Sequence, residues 1–305
     1  MMRIAKRTGR SGRRSGGFTL TEMLLVIGAI ALLAVLVLEV CGAACDAANR
    51  AGCASHLRAI WHGCAVYADG NRGYFPYTGA TTPQAGTIRP ASFFFTDTWV
   101  NRGTPFWPVQ RNTGNAGNLY LLIRLRLASA DEFVCPASGD VAAFEPFSAG
   151  RFSFLAFQPG SIALTRQEQE FLQLHATRHC SYSYQNVLGL VGKAGAVVPG
   201  SGALHMQWSP SDLAILADHN PYTQLQGEAR PSLDPTAAPQ ANSLNHAGRG
   251  QNVLYLNGSV LWCDTPECGA TLGSGRYDNI YLPASGSATD PANVPQNNKD
   301  SYLVP

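Results

Sequence analysis

The chain has 305 residues, of which 45% are hydrophobic and only 14% charged, with 31 glycines and 19 prolines. That length can build one real core, and the glycine and proline content points to a loop-rich body. The formal net charge is +2, and no basic patch argues for a nucleic-acid partner.

Six cations (Arg3, Lys6, Arg7, Arg10, Arg13 and Arg14) crowd the first seventeen positions, which hold no acid. Without those seventeen, 288 residues remain with 16 basic groups (22 less 6) against 20 acidic ones, a net charge of −4. Next comes Gly17-Phe18-Thr19-Leu20-Thr21-Glu22, opening an apolar run that lasts to Leu38. From Phe18 to Leu38 is 21 residues, which as a helix reaches about 30 Å, one hydrocarbon thickness. A cleavable secretory signal has a shorter apolar core. A plain signal anchor fits the length but gives no reason for Glu22, an ionisable group that is costly inside a membrane. A lipoprotein signal ending at Leu38-Glu39-Val40-Cys41 is a poor match, because Glu39 and Val40 stand where small residues are expected.

The basic segment, the Gly-Phe junction and the Glu at the fifth position beyond it resemble a type IV prepilin leader. The resemblance covers few residues but is specific. It implies cleavage between Gly17 and Phe18 by a prepilin peptidase and methylation of the new Phe18 amine. It also implies a filament in which Glu22 meets a neighbouring subunit's N-terminal amine and sets axial register. The positive leader fits cytoplasmic retention, which would put the body on the far side of the inner membrane.

Good helix formers continue past Leu38 to about Tyr67, and Asp69-Gly70-Asn71-Arg72-Gly73 supplies the stop. Leu57, Ile60, Trp61, Cys64 and Tyr67 or Ala68 recur at three- and four-residue steps, an apolar stripe suited to packing on a body. Many pilins have a proline near mature position 22, where this chain has Glu39, so less bending is expected. Cys53-Ala54-Ser55-His56-Leu57-Arg58-Ala59-Ile60 and Tyr67 to Pro76 resemble the pilin-like proteins of the Planctomycetes type. Those proteins carry a C-terminal motif of His, nine residues, then Asp-Gly. Here His246 precedes Asn257-Gly258 by a gap of ten residues, and Asn replaces Asp. The segment reads as a hairpin of Val253–Leu256 and Ser259–Cys263 around a type I′ Asn257-Gly258 turn, a structural role and not a catalytic one.

The remaining body reads as helices from Asn118 to Leu127 and from Thr165 to about Ala176, the latter opened by a Thr165–Glu168 capping box. Strands are expected at Ser181–Tyr184 and Leu213–Asp218, with a last edge strand or loop at Asp278–Tyr281. The fold class is therefore α+β: a long N-terminal helix against a small antiparallel sheet. The organisation is 1–17 leader, 18–40 transmembrane or filament-core helix, 41–70 helix packed on the body, and 71–305 globular domain.

Eight cysteines suit an oxidising compartment. Cys41, Cys45, Cys53 and Cys64 lie on the long helix, where they cannot bridge one another without strain; Cys135 and Cys180 are candidate partners from the body. Cys263 and Cys268, four residues apart in between, are a candidate direct disulfide. A zinc site from Cys135, Cys180, Cys263 or Cys268 with a histidine has no CxxC or His spacing to support it. Calcium has weak candidates at Asp218 and Asp278, with His219, Asn220 and Asn279 nearby, but no EF-hand spacing. The seven histidines come without a Gly-x-Ser-x-Gly elbow or an HExxH helix. Phe93, Phe94, Phe95, Trp99, Phe106 and Trp107 read as core packing, with recognition of a ligand or a neighbouring subunit as the alternative.

These residues lead to a non-enzymatic, pilin-like subunit without cofactors, assembled into a type IV pilus or a type II secretion pseudopilus. Its expected partners are the prepilin peptidase, other pilin-like subunits, the inner-membrane assembly machinery and the membrane. The alternative is a membrane-anchored periplasmic binding protein or enzyme carrying a prepilin-like leader.

Overall fold

The computed structural model describes residues 18–76, 115–140, 180–185, 189–191, 197–199, 204–222, 233–234, 236–273, 275–283, 295 and 297–304. Gly17, the aromatic group at 93–107 and the helix expected at 165–176 lie outside the described residues. By its internal contacts the chain divides into Met1–Cys45 and Asp46–Pro305.

One helix, α1 (Leu20–Gly70), runs through both units. It opens on a capping box that sequence reading passed over: Thr19-Leu20-Thr21-Glu22 has the spacing of one. The Thr19 N–H and hydroxyl both donate to Glu22 Oε2 at 2.8 Å, and Thr19 Oγ1 accepts from the Glu22 N–H at 3.3 Å. From Phe18 to Leu38 every side chain is exposed. This stretch is long and apolar enough to cross a membrane.

The second unit is α+β. A five-stranded antiparallel sheet has the order β6-β5-β4-β1-β9, from β1 (Tyr182–Gln185), β4 (Ala214–Asp218), β5 (Gln251–Tyr255), β6 (Val260–Cys263) and β9 (Leu303–Val304). Two further hairpins stand apart from it: β2 (Gly189–Val191) with β3 (Val197–Pro199), and β7 (Glu267–Gly273) with β8 (Arg276–Asn279). Asp278 is thus in β8, paired with β7, and the edge of the main sheet is the C-terminal Leu303–Val304.

The sheet sorts its side chains by strand alternation. Tyr182, Tyr184, Leu216 and Leu254 enter one core with Cys53, Leu57, Ile60, Cys64 and Ala68 of α1. Val253, Tyr255 and Ala217 enter a second core with Ile280, Tyr281 and Leu303. The α1 stripe is therefore the expected one, extended one turn back to Cys53, with Trp61 and Tyr67 at its half-buried margin. Helix α2 (Asn115–Arg124) adds Leu119, Tyr120, Leu122 and Ile123 to the first core. The chain leaving α2 comes so close to α1 that a Cβ at Gly63 would sit 2.8 Å from the Leu127 carbonyl oxygen.

The β5–β6 hairpin forms, but its turn is not type I′. That turn needs positive φ at both central residues, whereas here Gly258 has φ 86° and Asn257 has none. The Gly258 N–H donates to Tyr255 O at 2.9 Å and the Tyr255 N–H to Ser259 O at 2.9 Å, a three-residue loop with glycine in the left-handed position. Asn257 instead accepts from the Ser259 N–H and hydroxyl through Oδ1. The loop is held from outside: the Leu256 and Asn257 N–H groups donate to Leu213 O and Ser211 O, Trp61 Nε1 donates to Leu256 O at 2.9 Å, and a Cβ at Gly258 would meet the Trp61 indole at 2.8 Å.

Candidate functional site

Four segments converge on one buried point below the end of β4. Leu216 faces α1, so two residues on, Asp218 does too, opposite Tyr182 in the register of β1. Cys53 is one helical turn before Leu57 on the buried stripe, which sets it over that end of the sheet. Cys135 follows a 3-10 turn (Ala130–Phe133) and is held from both sides: Val134 O lies 3.0 Å from His56 Nδ1, and the Ser181 N–H donates to Phe133 O at 2.8 Å. His246 ends a 3-10 turn (Leu244–His246) capped by Ser243 and closed by Ala247 in the left-handed conformation.

The resulting group is Cys53, Cys135, Asp218 and His246, with one sulfur, nitrogen or oxygen from each lying within 4.8 Å of the others. Cys53 Sγ donates to Asp218 Oδ1 at 3.3 Å. His246 Nε2 is 3.3 Å from Asp218 Oδ2 and 3.5 Å from Cys135 Sγ. All four side chains are buried, the most exposed being His246 at 4%. Around them, the Asn252 N–H donates to Asp218 Oδ2 at 2.8 Å and Asn245 Nδ2 to Oδ1 at 3.1 Å. The Tyr182 hydroxyl donates to Cys53 Sγ at 3.5 Å. Trp262 stands edge-on to His246, and the Arg50 guanidinium lies 4.0 Å over the indole.

The electrostatics follow from burial and contact. Burial raises the Cys53 thiol, and the thiol of Cys135 is lowered by its contact with Cys53 and then by His246. Burial alone would discharge His246, but the hydrogen bonds to Asp218 and Cys135 win and push it up to about 9. Among these groups Cys135 is the readiest thiolate. The arrangement is not a nucleophile–base–carboxylate relay, which uses the two ring nitrogens separately: here the sulfur and the carboxylate approach the same Nε2. A thiol 1% exposed also offers no approach to a substrate.

The sequence offered Cys135 as a body partner for the helix cysteines, Cys53 among them, and as a zinc ligand with an unspecified histidine, but it named neither His246 nor Asp218 beside them. Successive members are 82, 83 and 28 positions apart (53 to 135, 135 to 218, 218 to 246), so no spacing motif could signal them. His246 is the hairpin's forerunner by sequence, but its side chain belongs to this group, far from a turn-forming role at Asn257-Gly258. Cys180, the other expected body partner, instead lies against Tyr182 O at 3.5 Å, and burial pushes its thiol up to about 12.

The oxygen groups weighed for calcium do not gather. Asp218 sits among sulfurs. Asn220 clips Tyr281 O and Leu303 O, and Asn279 holds Pro239 O. Asp278 accepts from the Ser301 N–H at 2.6 Å, and burial, then the neighbouring Asp300, push its carboxyl up to about 8. Cys263 and Cys268 are side by side as thiols in hydrogen-bond contact, under the Tyr255 hydroxyl that donates to Cys268 O at 2.6 Å. Comparison with protein-family models, curated proteins and solved structures finds no match to any of them.

Proposed function

We propose that the chain is a pilin-like subunit, cut after Gly17, N-methylated at Phe18, held in the inner membrane by its apolar helix and assembled into a pilus or secretion pseudopilus. The observation that carries this reading is Gly17-Phe18-Thr19-Leu20-Thr21-Glu22 ahead of a helix whose first 19 residues, Leu20 to Leu38, are all exposed. An apolar surface of that length must be covered by lipid or by other helices. Open, head-to-tail assembly covers it in a filament.

The capping box sharpens the role of Glu22. In the single chain its carboxylate is occupied by Thr19. Removal of the leader creates a Phe18 amine, the cation that a neighbouring subunit brings to that carboxylate. Cap and charge are separable, because Gln serves a capping box as Glu does. Glu22→Gln therefore blocks assembly as completely as Glu22→Ala while leaving helix and membrane insertion intact, read by fractionating membranes and sheared filaments. Normal assembly of Glu22→Gln would end the register role. N-terminal mass spectrometry tests the subunit reading itself: methylated Phe18 is expected, and an intact leader or a cut near Ala44 overturns it.

A further inference from the structure

We propose that Cys53, Cys135, Asp218 and His246 bind a zinc ion in a closed, structural site. The distances are the first ground. Zinc holds sulfur at about 2.3 Å and nitrogen or oxygen at about 2.0–2.2 Å. At the tetrahedral angle these lengths put sulfur about 3.6 Å from nitrogen or oxygen and nitrogen about 3.4 Å from oxygen. The structure has 3.5 Å for Cys135 Sγ to His246 Nε2, 3.3 Å for Cys53 Sγ to Asp218 Oδ1 and 3.3 Å for His246 Nε2 to Asp218 Oδ2. With Asp218 Oδ2 as the ligand oxygen, two edges of the tetrahedron have these lengths, Cys53 Sγ lies against the other oxygen of the same carboxylate, and one donor atom from each of the four residues is within 4.8 Å of the rest.

The donor set is the second ground. Two sulfurs, an imidazole and a carboxylate suit zinc and do not suit calcium or magnesium, which take oxygen alone. Four protein ligands leave no open position, as in structural zinc sites. Binding would release the Cys53 thiol proton together with the protons held by Cys135 and His246 Nε2, and would place the cation among two thiolates, a carboxylate and a neutral imidazole.

The surroundings are the third. Asn245 Nδ2 and the Asn252 N–H donate to the Asp218 carboxylate, and the Tyr182 hydroxyl donates to Cys53 Sγ. Such donors orient anionic ligands and stabilise their charge. A Cys53–Cys135 disulfide fits this shell poorly. It would remove the thiol that donates to Asp218 Oδ1 and turn the sulfur beside His246 Nε2 into part of a bridge, leaving a buried carboxylate and imidazole without those partners. The zinc ion would join the start of the packed half of α1 to the segment after α2, the end of β4 and the turn before β5, four pieces of chain that otherwise meet only by packing and hydrogen bonds.

The test uses the full chain extracted in detergent and purified without added metal. Elemental analysis is expected to find one zinc per chain. Exchange with cobalt(II) should give the visible d–d bands of a tetrahedral site with thiolate-to-cobalt charge transfer in the near ultraviolet. Cys135→Ser should lose the zinc, and Cys180→Ser, a buried thiol outside the group, should keep it. If Cys135→Ser does not fold, the cobalt spectrum of the unaltered chain decides the matter. A metal-free chain yielding a Cys53–Cys135 disulfide-linked peptide, a different metal in the site, an octahedral cobalt spectrum or full zinc retention by Cys135→Ser overturns the proposal. None of these readouts depends on processing at Phe18.

Discussion

Replacing Asp218 by Asn keeps the volume and removes the charge, and its cost can be worked out from the contacts. Oδ1 accepts from Cys53 Sγ and Asn245 Nδ2, and Oδ2 from the Asn252 N–H and His246 Nε2. An asparagine has one acceptor oxygen and one NH2, so whichever way the amide turns, one of these pairs faces donors with a donor. Each buried donor left without an acceptor costs about 1–3 kcal/mol. If the oxygen stays toward Asn252 and His246, the Cys53 thiol and one Nδ2 hydrogen of Asn245 lose their acceptor, while Asn245 Nδ2 keeps Ser181 O at 2.8 Å. The thiol is a weak donor that can rotate away, so the sum lies near about 2–4 kcal/mol. That is a large part of a domain stability of about 5–15 kcal/mol. The assay is urea unfolding of the body followed by tryptophan fluorescence, with chelator and reductant present so that only the polar network is measured. The midpoint should fall with the slope unchanged. Asp46→Asn, which breaks the exposed ion pair with Arg249, should leave the midpoint where it is. A loss below about 1 kcal/mol for Asp218→Asn would refute the account of four donors converging on this carboxylate.

Asp278 predicts an unusual pH dependence. Its carboxyl is raised to about 8 in the folded state, so the folded chain keeps a proton that the unfolded chain has lost above about pH 4. The stability it contributes is full below about pH 4 and falls by up to about 1.4 kcal/mol per pH unit until about pH 8. Asp278→Asn should flatten that slope in unfolding midpoints taken at pH 5 and pH 7; an unchanged slope sinks the assignment. Gly63→Ala sets two effects against each other. Alanine gains about 1 kcal/mol in a helix interior, but its Cβ would meet the Leu127 carbonyl oxygen at 2.8 Å, and backbone yields poorly, at about 1–3 kcal/mol for overpacking. A net loss is expected by the same denaturation assay, and a gain of the size seen at open helix glycines would contradict the close approach.

What the sequence determined by itself was local. Apolar steps of three and four residues marked the face of α1 that packs, because a helix repeats every 3.6 residues; alternation marked β1, a short apolar run marked β4, and the Asn257-Gly258 turn marked β5 and β6. The Gly-Phe-Thr-Leu-Thr-Glu run stood out for the same reason: basic segment, helix start and charge are neighbours in the chain. The turn at Asn257-Gly258 was legible as a turn but not by type, since its backbone is held from outside the hairpin by Ser211 O, Leu213 O and the Trp61 indole. The Cys53, Cys135, Asp218 and His246 group lay wholly with the tertiary structure. A cysteine on a helix stripe and an acid at a strand end are ordinary residues until the sheet lies on the helix. That packing puts Asp218 opposite Cys53 because strand alternation points both Leu216 and Asp218 the same way. Only then do a cysteine and a histidine from two other segments find a common centre.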